Sequence, residues 1–440
     1  MSKKSLFTAF LFLSFLIAQL GGATGAFAQG ALTVNIHGPG QSKMNIVLAR
    51  PFAAQAQADA AVKLQDLISK NLAFMPFLNI VPQSNVLGQV AGPAAEQIDF
   101  KPFLMSKIDV MVTANWTPGG NLGNVELRAF EVYSRQLLVG KGYDSVTEAQ
   151  LPEVADRFCM ELMLKLTGQG GFFNSQLAFV KSSGPKNSEI WTVRPMGRGL
   201  TKITEYGDLG MAVSPDWSFD GRRICFTLIG SRSHYLGVWS GGGKPKVYTL
   251  PCTSVVSPKF LPSGQIAASL NLQGGKTDIY LLDSNMKPGR ALVKSSSIDV
   301  SPSFDKSGNL MAYVSDQTGS PNIYLLNMST GASQRITKFG YNTNPSISPD
   351  GAFIAFTRQF GGAQKVMLYE MATGQERQIT SGGGTDENPS FSPDGYFIAF
   401  SSTRGGEKKI YITTIHGAAP VMVPTGNGPA RMPSWGALPQ

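Results

Sequence analysis

Aspartates followed by glycine recur along this sequence, and they are the pattern in it that most resembles a catalytic site. Asp220, Asp350 and Asp394 each precede a glycine at comparable places in the chain. Two carboxylates held close together can act as general acid and general base. Asp-Gly is also a dipeptide that tight turns favour, because Asp bonds nearby backbone groups and Gly tolerates positive φ. We therefore expect these carboxylates to form hairpin turns.

The other residue patterns that mark common enzyme classes do not occur in the sequence. His37, His234 and His416 stand too far apart for a His-Glu-x-x-His zinc site. No serine has the flanking glycines of a nucleophile elbow, and no glycine-rich phosphate loop joins a strand to a helix. The sequence therefore predicts a protein that is not an enzyme and that has no catalytic residue, cofactor or metal.

The turns belong to a unit that recurs along the chain from about residue 175. Each unit opens with Pro-x-Phe or a close variant, and the prolines are 43 or 44 residues apart: Pro215, Pro258, Pro302, Pro345, Pro389 and Pro433. Short runs rich in β-branched and aromatic residues follow, separated by Gly, Pro and Asp, and such runs are typical of strands. Four short strands in a unit of this length predict a propeller blade.

The order of the strand types predicts how the units close into a ring. Three of the four types first occur within 177–204, whereas the sixth copy of the Pro-x-aromatic strand stands alone at 433–435. Pairing this last strand with 177–180 would complete a sixth blade and remove two exposed strand edges. We therefore expect an all-β six-bladed β-propeller over 175–440, with ring closure by the C-terminal strand. An open array of β-repeats is the alternative.

Segments with helical and strand patterns alternate before the repeats. The predicted strands cover 45–49, 77–81, 109–115, 125–132 and 136–143, and the predicted helices cover 59–72, 101–107 and 151–166. Val154, Phe158, Leu162 and Leu166 recur at helical spacing on one face of the last helix. The alternation predicts an N-terminal α/β domain over 29–167, and glycines at 168–171 predict a joint to the propeller.

The first 28 residues have the features of a secretory signal peptide. Lys3 and Lys4 precede an apolar run at 6–20, and Ala26-Phe-Ala28 supplies the small residues of a cleavage site. The run is short for a membrane span, although a retained anchor is the alternative. Residues 29–40 then form a strand-like arm that ends in Gly-Pro-Gly.

Charge and cysteine content exclude two further classes of protein. The formal net charge of +9 could suggest nucleic-acid binding, but export and the lack of a long basic run argue against it. Cys159, Cys225 and Cys252 are too few for a disulfide scaffold, and the sequence leaves open whether any two of them pair.

The connections before the prolines are the least repetitive part of each unit, and they predict a binding face. They cover 211–214, 253–257, 297–301, 341–344, 386–388 and 430–432. Basic and acidic residues are predicted around them, at Lys181, Arg232, Arg358 and Arg404 and at Asp299, Asp316, Asp386 and Glu387. A mixed-charge rim around an apolar opening suits a protein partner.

The exported N-terminus, the α/β domain and the repeats of Pro-x-[Phe/Trp]-x-Pro-Asp-Gly-x-x-[Ile/Leu]-Ala-Phe together resemble the TolB family, periplasmic propeller proteins of the Tol-Pal cell-envelope system. The resemblance covers essentially the whole chain. It implies a monomeric scaffold in the periplasm that binds the outer-membrane lipoprotein Pal and the inner-membrane-anchored protein TolA. Such a scaffold would associate with the envelope only through its partners, and would support outer-membrane integrity and constriction at division.

Carried over by position, the resemblance also implies site residues. The Pal-binding face would comprise Met211, Thr253, Ser254, Val255, Ser257, Asp299, Val300, Tyr341, Asn342, Asn344, Asp386, Glu387, Asn388 and Arg431. The TolA-binding arm would comprise Gln29, Gly30, Ala31, Leu32, Thr33, Val34, Asn35 and Ile36. Ser254 and Val300 depart from the residues usual in the family.

Two other functions remain open from the residues alone. A six-bladed metal-dependent hydrolase would place Asp299, Asn344, Asp386 and Glu387 at the centre of the channel. A non-catalytic propeller of the peptidase type is the second alternative, although no nucleophile elbow accompanies the repeats.

Overall fold

An N-terminal mixed sheet and a long series of antiparallel strands follow one another in the computed structural model, which describes residues 43–184, 186–272 and 275–439. The predicted signal peptide at 1–28 and the predicted arm at 29–36 lie outside the described residues. None of the helices in the described ranges combines the length and the apolar character that a membrane span needs.

The N-terminal block is a five-stranded sheet with helices. Its elements are β1 (Met44–Leu48), α1 (Ala58–Ala73), β2 (Leu78–Val81), α2 (Lys101–Met105), β3 (Val110–Thr117), β4 (Asn124–Glu131), β5 (Leu137–Tyr143) and α3 (Leu151–Thr167). The strand order is β2-β1-β3-β4-β5. β1 pairs in parallel with both β2 and β3, and the other pairs are antiparallel. β1 is mostly apolar and buried, as expected for a strand with a parallel neighbour on each side.

The helices of this block pack through the apolar faces that their spacing predicts. Leu64 and Leu72 of α1 are buried, as are Phe158 and Leu162 of α3, and the two helices contact each other. α3 ends where Gly168 takes a φ of 73°, a left-handed cap that glycine adopts without strain. The predicted helix at 101–107 ends earlier, at Met105.

The second part of the chain consists of antiparallel strands that follow the predicted repeats. They are β6 (Ser175–Gly184), β7 (Asn187–Val193), β8 (Thr201–Lys202), β9 (Gly210–Trp217), β10 (Ile224–Gly230), β11 (His234–Trp239), β12 (Lys246–Tyr248), β13 (Ser254–Phe260), β14 (Ile266–Asn271), β15 (Asp278–Leu282), β16 (Pro288–Val293), β17 (Asp299–Phe304), β18 (Leu310–Ser315), β19 (Asn322–Asn327), β20 (Ser333–Arg335), β21 (Asn342–Ile347), β22 (Phe353–Phe360), β23 (Ala363–Glu370), β24 (Gln375–Gln378), β25 (Asp386–Phe391), β26 (Phe397–Ser402), β27 (Lys409–Thr414), β28 (Val421–Met422) and β29 (Ala430–Ala437).

The sheets follow the chain in groups of four strands. β13–β16, β17–β20, β21–β24 and β25–β28 each form a four-stranded sheet in sequence order. The remaining strands lie on one path, β12-β11-β10-β9-β7-β6-β29, with β8 beside β7. Within that path, β7 and β9 share one residue pair, Ser188 with Met211. The N-terminal block is therefore followed by a β-propeller.

The last strand pairs with the first strand of the propeller. β29 runs antiparallel to β6, and its Ser434 and Trp435 lie opposite Ala178 and Leu177. The Trp435 ring also lies close to Phe172, which precedes β6, with ring centroids 5.9 Å apart. The two ends of the propeller segment are therefore held together by backbone pairing and by aromatic packing.

Candidate functional site

One face of the propeller is formed where the innermost strands begin. These strands are β9, β13, β17, β21, β25 and β29. The segments that the sequence predicts as connections lie wholly or mostly within the first residues of these strands, so the strands begin earlier than predicted. We call the start of these strands, with their preceding connections, the partner face. The turns after the strands lie at the opposite face. The partner face therefore collects residues from widely separated parts of the chain.

Each inner strand has a non-glycine residue in the left-handed region directly before its motif proline. The residues and φ values are Ser214 (52°), Ser257 (46°), Ser301 (56°), Asn344 (51°), Asn388 (55°) and Met432 (53°). The pairing register with the neighbouring strand shifts at the same point, so each strand contains a bulge. Such backbone costs on the order of 1–3 kcal/mol per residue and is concentrated at functional sites.

The structure separates the fourteen residues of the predicted Pal-binding face by exposure. Thr253 and Tyr341 are exposed. Eight are half-buried: Met211, Ser254, Ser257, Val300, Asn344, Glu387, Asn388 and Arg431. The other four, Val255, Asp299, Asn342 and Asp386, are buried, with at most 1% of their surface exposed. The side chains of these four residues point into the propeller, and their part in binding a partner stays a prediction.

Asp386 is buried because it neutralises two cations inside the propeller. Lys365 lies 3.2 Å and Arg404 2.9 Å from its two carboxylate oxygens. Ser402 donates a third hydrogen bond, at 2.6 Å. Arg404 is thereby held inward, whereas the sequence predicts it at the rim of the binding face.

Arg358 is also turned inward, contrary to its predicted place on the rim. Its side chain is 3% exposed and lies 2.7 Å from a carboxylate oxygen of Glu376. Its Nε donates to Asn342 at 2.7 Å, and its guanidinium lies 4.6 Å from the ring centre of Phe339. Asn342 and Arg358 therefore support the connection at the partner face from beneath.

Asp299 is a buried carboxylate for which the structure records no ion pair within the described residues. Ser295 donates a hydrogen bond of 2.7 Å to it. Burial raises the pKa of Asp299 above its ordinary value, while hydrogen bonds from Ser315 and Ser295 act in the opposite direction and the nearby charge of Asp278 raises it further. The ionised form of Asp299 is therefore disfavoured in the folded protein.

Replacing Asp299 by asparagine is expected to raise the free energy of unfolding at neutral pH by about 1 kcal/mol, the usual size of a single-site effect. An acid whose pKa is raised by folding holds its proton more tightly in the folded than in the unfolded chain. Stability therefore falls as the pH rises from the unfolded-state pKa through the folded-state pKa. Asparagine fits the position, since Asn342 begins the next inner strand in the same way.

Urea unfolding of both proteins at neutral pH and at a pH below the ordinary pKa of Asp checks this prediction. The gain should shrink at the lower pH, where Asp299 itself is protonated. An equal gain at both pH values, or a loss at neutral pH, would contradict it.

Exposed apolar side chains lie on and beside the partner face, and among the four described here only Ile298 falls within a predicted connection. Leu209, Ile298 and Phe339 are 83%, 48% and 65% exposed on the connections, and Phe360 is 43% exposed near a hairpin tip. A sequence feature could have identified these residues. Each is a large apolar residue at a position where no core residue is expected, either within about four residues of the start of an inner strand or at a hairpin tip. Together with Tyr341, they provide exposed apolar area on and beside the partner face.

The four residues that a metal-dependent hydrolase would use are engaged elsewhere or lie in different blades. Glu387 forms an ion pair with Lys408, and the carboxylates of Asp299 and Asp386 have the partners given above. Asn344 is one of the left-handed residues. Across the described parts of the chain, no group of three or more His, Cys, Asp or Glu side chains is placed to hold a metal ion.

Two family models match the sequence. The TolB amino-terminal domain matches residues 32–138, and the TolB beta propeller domain matches residues 163–439.

Curated relatives match over part of their length. The Tol-Pal system protein TolB of Nitratidesulfovibrio vulgaris is 43% identical over 285 residues, which are 63% of this chain and 64% of the relative. The Tol-Pal system protein TolB of Desulfosudis oleivorans is 33% identical over 55% of each chain. The protein TolB homolog of Chlorobium luteolum is 30% identical over 67% of this chain and 66% of the relative. The chain thus spans less than two thirds of each of these relatives.

A solved structure shares the fold over most of the chain. The crystal structure of TolB from Acinetobacter baumannii superposes with a TM-score of 0.75 at 20% sequence identity, covering 90% of this chain and 97% of that one.

Proposed function

This chain belongs to the TolB family, and we therefore propose that it is a protein-interaction scaffold of the Tol-Pal system in the cell envelope. The observation that carries the proposal is the partner face, on which exposed apolar side chains lie close to the left-handed residues of the inner strands. Aromatic residues surrounded by polar groups are typical anchors of protein interfaces.

The partner is proposed to be the lipoprotein Pal. The names of the curated relatives support a place in the Tol-Pal system. Phe339 and Tyr341 are the best anchors, since they are 65% and 46% exposed and their connection rests on the buried Arg358. An anchor that is already positioned loses little conformational freedom on binding. Thr253, Ser257 and Val300 would contribute the surrounding contacts.

The remaining assignments follow from the family. We propose that residues 1–28 direct export to the periplasm, that 29–167 form the α/β domain, and that the arm at 29–36 binds TolA. Both binding events would serve outer-membrane integrity and constriction at division. The arm lies outside the described residues, so this part of the proposal is supported by the sequence.

The propeller over 175–440 is proposed to have six blades and to close through its C-terminal strand. The pairing of β29 with β6 supports this proposal. So does the single residue pair between β7 and β9, which divides the longest path of strands into two groups of four.

Calorimetric titration with the soluble domain of Pal from the same organism tests the proposed function. Phe339→Ala and Tyr341→Ala are each expected to weaken binding by more than 1 kcal/mol, which is about fivefold or more. Arginine at Ser257 and glutamate at Val300 should also weaken it, by adding bulk and charge to the face.

Phe219→Ala is the matched control, because Phe219 is 37% exposed at the opposite face. Its affinity for Pal should equal that of the unchanged protein. Absence of saturable binding, or the same loss in Phe219→Ala as in Tyr341→Ala, would contradict the proposed face.

A further inference from the structure

A cavity lined by all six inner strands lies at the face opposite the partner face. Its volume is about 150 Å³, close to that of a cavity that holds a benzene-sized molecule. The residue after each motif proline lines it: Asp216, Lys259, Ser303, Ser346, Ser390 and Ser434. Because these residues come from all six inner strands, the cavity collects one side chain from each repeat.

Most of these side chains accept a backbone hydrogen bond from the next inner strand. The hydroxyl oxygens of Ser303, Ser346, Ser390 and Ser434, which we call the serine ring, accept from Ile347 at 3.0 Å, Phe391 at 3.2 Å, Trp435 at 3.0 Å and Trp217 at 3.1 Å. Each hydroxyl therefore keeps its proton free to donate. Ser434 donates to Asp216 at 3.2 Å, and for the other three the structure records no acceptor within the described residues.

Lys259 interrupts the ring, because an ammonium group accepts no hydrogen bond. Its Nζ lies 2.8 Å from Asp216. The second oxygen of Asp216 accepts from the backbone of Phe260 at 2.9 Å. With Ser434, three donors therefore occupy Asp216, which is the only carboxylate among the described residues that line the cavity. Lys306 also lines the cavity, so the charged side chains around it sum to one positive charge.

Buried apolar and aromatic side chains also line the cavity, and Ser218 and Ser392 lie among them. The apolar ones include Trp217, Phe260, Phe304, Ile347, Phe391 and Trp435. A cavity that combines apolar walls with a few convergent polar groups is the usual form of a ligand site. Hydroxyl donors and ammonium groups beside aromatic walls suit an oxyanion that carries a hydrocarbon part.

We infer that this cavity binds a small carboxylate of a few carbon atoms. The free hydroxyls of Ser303, Ser346 and Ser390 would donate to the carboxylate oxygens, Lys259 and Lys306 would supply the positive charge, and the aromatic rings would contact the hydrocarbon part. A single excess positive charge matches a monoanion. A dianionic phosphate would leave a negative charge uncompensated and would have no use for the apolar walls.

Ligand-observed NMR titration of the purified protein with propionate tests this site, at constant ionic strength set with chloride. Saturable binding is expected. Lys306→Gln and Ser346→Ala should each weaken it roughly tenfold, the loss of a charged hydrogen bond. Lys306 is exposed, and within the described residues its ammonium group forms no hydrogen bond or ion pair, so Lys306→Gln is expected to keep the fold. Lys246→Gln, on an outer strand, removes a lysine elsewhere and should bind propionate as the unchanged protein does.

Each other result overturns the inference. Non-saturable binding would mean that propionate binds only non-specifically. Equal affinity for propionate in Lys306→Gln, Ser346→Ala and Lys246→Gln would mean the same. Inorganic phosphate is the competitor in a second titration. If phosphate displaces propionate and binds more tightly than propionate does, the cavity is a phosphate site and not a carboxylate site.

Discussion

Replacing Asp386 by alanine is expected to lower the free energy of unfolding by about 3–5 kcal/mol, the usual cost of removing one partner from a buried ion pair. The Asp386 side chain is fully buried between Lys365 and Arg404, whose side chains are 10% and 18% exposed. Alanine would leave both cations inside the propeller without a counter-charge. Urea unfolding followed by circular dichroism measures the loss.

Glu387→Ala is the matched control for this prediction. Glu387 is the neighbouring carboxylate on the same strand, but it and Lys408 are 22% and 31% exposed. Removal of such a partly exposed pair should cost at most about 1 kcal/mol. Equal losses in the two variants would show that burial does not set the importance of Asp386.

Replacing Trp435 by alanine is expected to cost about 3–5 kcal/mol, as for other buried aromatic residues that leave a cavity. Trp435 is 7% exposed, and its indole Nε1 donates to the hydroxyl of Ser175 at 2.8 Å. Its ring lies 5.9 Å from Phe172 and 6.4 Å from Phe397. One side chain therefore joins the last strand, the first strand and the segment before it, and its loss should lower the midpoint of thermal unfolding.

Two variants distinguish packing from hydrogen bonding at this position. Trp435→Phe keeps a ring but loses the bond to Ser175, and should cost less than alanine. Trp191→Ala removes a half-buried tryptophan on β7 and should cost less than half as much. A Trp435→Ala protein as stable as Trp191→Ala would contradict the proposed role in closure.

The strands of the propeller were predictable because turn-forming residues separate the strand patterns in each repeat. The motif prolines lie in the inner strands, Gly-containing turns separate these strands from the next ones, and the apolar runs have the length of strands. The starts of the inner strands were not predicted, because each strand begins three to five residues before its motif proline. The backbone of the left-handed residues was not predictable in this way. A residue before proline is biased towards extended backbone. Ser257 and Met432 have positive φ instead, and neither residue type favours that conformation.

The exposure of the partner face was only partly predictable for a related reason. Asp386 and Arg358 are charged, and the sequence predicts both in the mixed-charge rim of the binding face. Their burial depends on Lys365, Arg404 and Glu376, which come from neighbouring strands of the folded sheets. Contacts of this kind are set by tertiary packing and have no local signal in the sequence. The exposure of Tyr341 was predictable, because it depends only on the position of this residue in a short connection.

The pairing of β29 with β6 has a consequence for the time course of folding. Trp435 and Ser175 are 260 residues apart in the chain, so this contact forms between the first and last portions of the propeller. Contacts at such separation slow folding. Until the C-terminal strand arrives, β6 presents an unpaired edge that can capture another chain. We therefore expect refolding to become less efficient as protein concentration rises, with the last kinetic phase reporting the arrival of β29.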